Sequence, residues 1–120
     1  MSKKRALLFD DDVCARNSIE AFLVTCGIRC VSVSTGDAAM AQCKDGTFDV
    51  AILQLGSTYG GRQVCAELKK VRPTTKVLGM SVSHDERVTG NLKSTWGFDA
   101  VLSKPCDMDE LSDVLHTIFV

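Results

Sequence analysis

Arg5-Ala-Leu-Leu-Phe-Asp-Asp-Asp12 is a short apolar run that stops in three consecutive carboxylates. Ala6 to Phe9 is continuously apolar, which suits a strand buried on both faces, as in a parallel sheet covered by helices on either side. A helix is expected next, over residues 13–26. Its apolar positions Ile19, Phe22, Leu23 and Cys26 recur at i, i+3, i+4 and i+7, and Gly27 ends it. The same alternation continues along the chain. Residues 30–34 alternate and read as an edge strand. Residues 36–44 form a short Ala-rich helix, and residues 48–53 a second buried strand. The loop Gly56-Ser-Thr-Tyr-Gly-Gly61 leads into a helix carrying Val64, Leu68 and Val71, which Pro73 stops. A fourth strand is expected over residues 76–80. Residues 85–96 read as a weak helix, with Gly90 inside it and a thin stripe of Val88, Leu92 and Trp96. A fifth strand covers residues 98–102. Leu111, Val114, Leu115 and Ile118 form one face of the last helix, which Asp107 or Asp109 can cap.

The chain has 120 residues, 45% hydrophobic and 24% charged, with a formal net charge of −1. That is one ordinary globular domain, residues 1–120, large enough for a real core. The near-neutral charge argues against general attraction to nucleic acid or an anionic membrane. No signal-peptide pattern follows the basic start, and no apolar stretch approaches the roughly 20 residues of a membrane span. The expected location is cytoplasmic. Six cysteines are present, at positions 14, 26, 30, 43, 65 and 106. None has Cys-x-x-Cys spacing, so they are expected mostly as small buried hydrophobes. His84 and His116 lack a neighbour pattern for a metal and are expected at the surface.

Five strands alternating with five helices imply a parallel sheet with helices on both faces. In such sheets ligands bind beyond the carboxyl ends of the strands, at the topological switch point. For a doubly wound sheet of order 2-1-3-4-5 that point lies between the first and third strands. Asp10, Asp11 and Gln54 would meet there, flanked by Ser81 and Lys104 at the ends of strands four and five. Taken singly these residues say little. Asp10-Asp11-Asp12 could simply cap a helix and favour its dipole, and a lone lysine is usually solvated. Only their joint placement suggests a phosphate or metal site.

Together the segments resemble the receiver domains of two-component response regulators. The resemblance covers essentially the full length. It is carried by Leu7-Leu-Phe-Asp-Asp-Asp12 with Arg16, by Gly27, and by Phe48-Asp-Val-Ala-Ile-Leu-Gln-Leu55 with Gly61 seven residues past Gln54. Val77-Leu-Gly-Met-Ser81 and Gly97-Phe-Asp-Ala-Val-Leu-Ser-Lys-Pro105 complete it. It implies an α/β, flavodoxin-like, doubly wound five-stranded parallel sheet of order 2-1-3-4-5 with five helices. It also implies a chemistry in which an aspartate accepts a phosphoryl group, usually from a histidine kinase. Magnesium would sit on the acidic pair Asp10 and Asp11, on the acceptor, and on the carbonyl of Gly56. Ser81 and Lys104 would hold the phosphoryl oxygens.

At the acceptor position this chain has Gln54. A carboxamide is a poor nucleophile, and it removes one of three negative charges around the metal, so magnesium is expected to bind weakly and not to be required. Its amide is expected to donate to Asp11 and accept from Lys104, closing the site on itself. Other departures agree. Thr58 stands where the family usually has proline. Val82 replaces a small residue at the phosphoryl entrance. Val101 replaces the switch aromatic and should stay packed. The expected function is a degenerate receiver, not an enzyme. It would serve a two-component phosphorelay by binding a histidine kinase, another signalling domain or itself. The expected contact face comprises the weak fourth helix, the fifth strand and the last helix. The alternative is a magnesium-dependent phosphoacceptor in which Gln54 replaces the usual aspartate or a neighbouring residue takes the phosphate.

Overall fold

The computed structural model describes residues 4–55, 60–81, 96–103 and 107–119. Five strands form one parallel sheet: β1 (Arg5–Phe9), β2 (Arg29–Val33), β3 (Val50–Gln54), β4 (Lys76–Ser81) and β5 (Ala100–Ser103). Their order is β2-β1-β3-β4-β5, as the resemblance implies. Four helices are described: α1 (Val13–Thr25), α2 (Gly36–Asp45), α3 (Gly61–Val71) and α4 (Met108–Phe119). Apart from Trp96, the weak helix expected over residues 85–96 lies outside the described residues, as do His84, Tyr59 and Cys106.

The apolar runs become the central strands for a plain reason. All five residues of β3 and the last four of β1 are buried, so every side chain needs an apolar neighbour on one face or the other. Each fully buried Leu, Ile or Phe contributes about 1.5–3 kcal/mol relative to exposure. The strands divide their side chains between two cores by simple alternation. Leu7, Phe9, Ala51, Leu53 and Val77 pack with Ala39 and Cys43 of α2 and Val64, Cys65 and Leu68 of α3. Ala6, Leu8, Val50, Ile52, Leu78 and Met80 pack on the other side with Ile19 and Leu23 of α1 and Leu111 and Leu115 of α4. The two edge strands are only half-buried through most of their length, which accounts for the alternating pattern legible in β2.

Local signals set the helix ends. The Asp12 carboxylate accepts the Cys14 N–H at 3.0 Å and caps α1. Gly27, at φ 77°, closes that helix in the left-handed region glycine tolerates. Thr35 caps α2 through the Ala38 N–H at 3.1 Å, a cap the sequence reading did not single out. Asp107 rather than Asp109 caps α4, accepting the Glu110 N–H at 2.8 Å.

One expectation needs correction. Cys43 and Cys65 are buried, but Cys14 and Cys26 are exposed: Cys14 lies in the first turn of α1 off the Ile19–Leu23 face, and Cys26 is the C-cap, past the last helical residue Thr25. Trp96, in the thin apolar stripe, is half-buried against the α2–α3 core. The Cys65 thiol donates to the Trp96 carbonyl at 3.2 Å, tying this segment to α3. Val101 packs against the same core, as expected.

Candidate functional site

The site is built at the carboxyl ends of the three central strands. Phe9 and Leu53 are register partners, so Asp10 and Gln54 follow at the same level where β1 and β3 end. Gln54 pairs with Met80, which places Ser81 one residue further along β4. The expected convergence of Asp10, Gln54 and Ser81 at the switch point is therefore present, and all three are buried: Asp10 is 1%, Gln54 6% and Ser81 5% exposed. Asp11 is exposed at the rim. Lys104 and Gly56, and with them Thr58 and Val82, lie outside the described residues.

Hydrogen bonds organise the acidic turn from three sides. Asp10 Oδ1 accepts the Asp12 N–H at 2.9 Å. Arg16 Nη1 donates to the Asp10 carbonyl at 2.7 Å. Gln54 Oε1 accepts the backbone N–H of Asp11 at 2.8 Å. The last bond corrects the expected direction. Gln54 was expected to donate its amide to Asp11, but the group that faces it is a main-chain N–H, which can only donate. The Gln54 oxygen is thereby committed to the turn. Arg16 was legible only as part of a motif. Its role follows from the start of α1 at Val13, which brings a side chain one turn along back onto the strand end.

The floor of the site is close-packed. A Cβ on Gly61 would run into the Gln54 carbonyl and come within 2.9 Å of Leu53 Cβ and a Leu55 methyl. The first turn of α3 therefore rests directly on the end of β3. Gln63 Oε1 also reaches back to the Gly60 N–H at 3.0 Å. At the far side, Asp99 Oδ2 accepts both the Val77 N–H at 2.8 Å and Lys69 Nζ at 3.0 Å, fixing the approach to β5.

Magnesium is the group the resemblance implies here, and at position 54 the described donor is a neutral amide oxygen. Hard divalent cations are held chiefly by carboxylates. Here the charged candidates are Asp10 and Asp11. One Asp10 oxygen serves the Asp12 N–H and the position-54 oxygen serves the Asp11 N–H. Among the described residues no group of three or more His, Cys, Asp or Glu converges on a metal position.

In an open doubly wound sheet ligands bind outside the carboxyl ends of the strands, at the switch point, and here an acidic turn stands at that point between β1 and β3. The response regulator receiver domain family matches residues 6–116, and the chain belongs to it. It is thus a receiver domain of two-component signalling. A comparison with curated proteins returned no match. Among solved structures, it resembles the receiver domain of the Francisella response regulator 1452 at 22% identity and TM-score 0.88, over 98% of this chain and 97% of that one. It resembles the chemotaxis response regulator CheY4 of Vibrio cholerae at 19% identity and TM-score 0.89, over 98% and 99%. The third is the response regulator TrrA of Thermotoga maritima, solved in complex with Mg²⁺ and BeF, at 23% identity and TM-score 0.84 over 96% and 98%. At these identities the likeness concerns the fold. No described helix is long and apolar enough to cross a membrane.

Proposed function

We propose that this receiver domain is degenerate: it does not accept phosphate at position 54, needs no magnesium, is not an enzyme, and acts through protein contacts within a two-component pathway. The observation that carries this reading is the hydrogen bond from the Asp11 N–H to Gln54 Oε1 at 2.8 Å. The side chain at the acceptor position is neutral, buried and turned onto the acidic turn. A carboxamide has no anionic oxygen to attack phosphorus, and this one already spends its oxygen on a main-chain donor. Val101 supports the same reading, since a packed β-branched side chain cannot make the inward and outward excursions of an aromatic switch. The proposed partners are a histidine kinase, another signalling domain or a second copy. The contact face would include β5 and α4, where Val114, Ile118 and Phe119 are only partly buried. The proposed location is cytoplasmic.

The test is incubation with a small acyl-phosphate donor and magnesium, followed by intact mass and base lability. The expected result is no phosphorylated species. A stable, base-labile gain of one phosphate on an aspartate would overturn the reading and favour the alternative, in which a neighbouring carboxylate such as Asp11 takes the group.

A further inference from the structure

The two ends of β1 carry complementary surfaces. At the N-terminal end of the sheet lies a cavity of about 360 Å³, near the lower limit of ligand-sized pockets. Its apolar walls are Phe48, Ile118 and Phe119, and Lys4 and Lys76 stand at its edge. Lys4 Nζ lies 5.0 Å from the centre of the Phe119 ring, and the Arg5 guanidinium lies 4.9 Å from that of Phe48. Asp49 also lines the cavity, but its Oδ2 is held by the Arg5 N–H at 2.7 Å. Among the described residues the only ion pair joins Lys69 to Asp99, so Lys4 and Lys76 form none, and against the one Asp49 carboxylate the cavity lining keeps a net positive charge. The cavity therefore suits a group that is apolar at its tip and anionic beside it.

The other end of β1 has that composition. Asp11 and Asp12 are exposed, and Val13, which follows them, is 52% exposed. The Asp11 carboxylate has no hydrogen-bond or ion-pair partner among the described residues. β1 is five residues long, so it separates the tip from the cavity by about 17 Å at roughly 3.3 Å per residue. They cannot meet within one molecule. A net charge of −1 provides little overall repulsion between copies.

We propose that the Asp11-Asp12-Val13 tip of one molecule docks in the Lys4–Lys76 cavity of a second copy. Val13 enters between Phe48, Ile118 and Phe119, and Asp11 pairs with the lysines. The contact joins different surfaces of the two molecules, so it propagates head to tail rather than closing a symmetric dimer. It is independent of the phosphoryl chemistry, and a domain that failed the phosphorylation test could still show it.

Sedimentation velocity at protein concentrations up to about 1 mM tests it, that being the weak end of specific association. At about 0.02 M salt the weight-average sedimentation coefficient should rise with protein concentration. At about 0.5 M salt the rise should largely vanish, because exposed charges are then screened within a few ångströms. Lys76→Glu alone and Asp11→Lys alone should each weaken association at least about tenfold. Mixed together, the two variants should associate again, because the intact Asp11 tip of one meets the intact Lys76 cavity of the other. Val13→Ser should weaken association without changing its salt dependence. A domain that stays monomeric throughout at low salt overturns the proposal, as would be the case if the cavity serves an acidic segment of a different protein. Association that ignores all three substitutions, or a mixture that fails to associate, overturns it equally.

Discussion

Replacing Gln54 by methionine tests the organisation of the site most directly. Methionine matches glutamine in length but has no oxygen, so the Asp11 N–H loses the acceptor it has at 2.8 Å. A neutral hydrogen bond contributes about 1 kcal/mol net, and a donor left buried without one costs about 1–3 kcal/mol. Gln54 is 6% exposed but Asp11 lies at the surface, so water can partly replace the lost acceptor and the lower figure applies. Burying a thioether instead of an amide offsets part of even that. Global stability should therefore fall by no more than about 1 kcal/mol, or about 4 °C in Tm for a domain of this size. The local effect is cleaner. Losing about 1 kcal/mol of local protection should speed amide exchange of Asp11 about fivefold, since 1.4 kcal/mol corresponds to tenfold. The assay is residue-resolved hydrogen exchange by NMR, with Leu7 and Ile52 in the sheet as internal references. If Asp11 exchanges at the wild-type rate while the sheet is unchanged, the bond does not organise the turn and the reasoning fails. Gln54→Asp is the companion variant. It is one methylene shorter and places a third carboxylate beside Asp10 and Asp11, so it should be less stable than wild type without a cation. Magnesium should stabilise it by up to about 2.7 kcal/mol at a hundredfold excess over Kd, read as a higher Tm, and leave wild type nearly unmoved.

Further expectations follow from individual contacts. Gly61→Ala forces a methyl against the Gln54 carbonyl and Leu53 and should cost about 1–3 kcal/mol in urea unfolding, the range for overpacking. Asp99→Ala should destabilise more than Lys69→Met by about 1 kcal/mol in the same assay. The lysine contributes only a part-exposed ion pair, whereas Asp99 also accepts the Val77 N–H. Thiol labelling read by peptide mapping should modify Cys14 and Cys26 quickly in the native protein, and Cys43 and Cys65 only on unfolding. Alkaline titration should show a related loss. Burial pushes the Cys30 thiol up to about 12, with help from the Glu20 charge, and the thiols of Cys43 and Cys65 up to about 11, from an ordinary 9.0. The unfolded chain therefore releases these protons first as pH rises. Stability from these thiols is complete below pH 9.0 and falls as pH rises above it; the loss is finished at about 11 for Cys43 and Cys65 and about 12 for Cys30, and a Cys43→Ala variant should show a shallower fall.

Much of this organisation is legible along the chain because it depends on near neighbours. The continuous apolar runs at Ala6 and Val50 mark strands buried on both faces, and the Ile19–Leu23 and Leu111–Leu115 spacings mark the helices that cover one of those faces. The acidic turn and Gln54 stand out as residues at strand ends. Less legible were the exposed positions of Cys14 and Cys26, since a residue's type says little about which side of a helix end it falls on. The tie of Trp96 to α3 was not legible either, because its partner Cys65 lies about thirty residues earlier in the chain.

The sequence by itself determined the class of fold, the order of its elements and the oddity at position 54, because periodicity, caps and residue chemistry are local properties. The tertiary structure decided what the glutamine does with its oxygen. That depended on β1 and β3 lying side by side in register, so that a main-chain N–H 43 residues away faced the amide as a donor. It also decided that Lys4 and Lys76 share one cavity with Phe48 and Phe119. Residues that far apart in the chain become neighbours only when the sheet has formed and α4 has packed against it, and no local pattern encodes that distance.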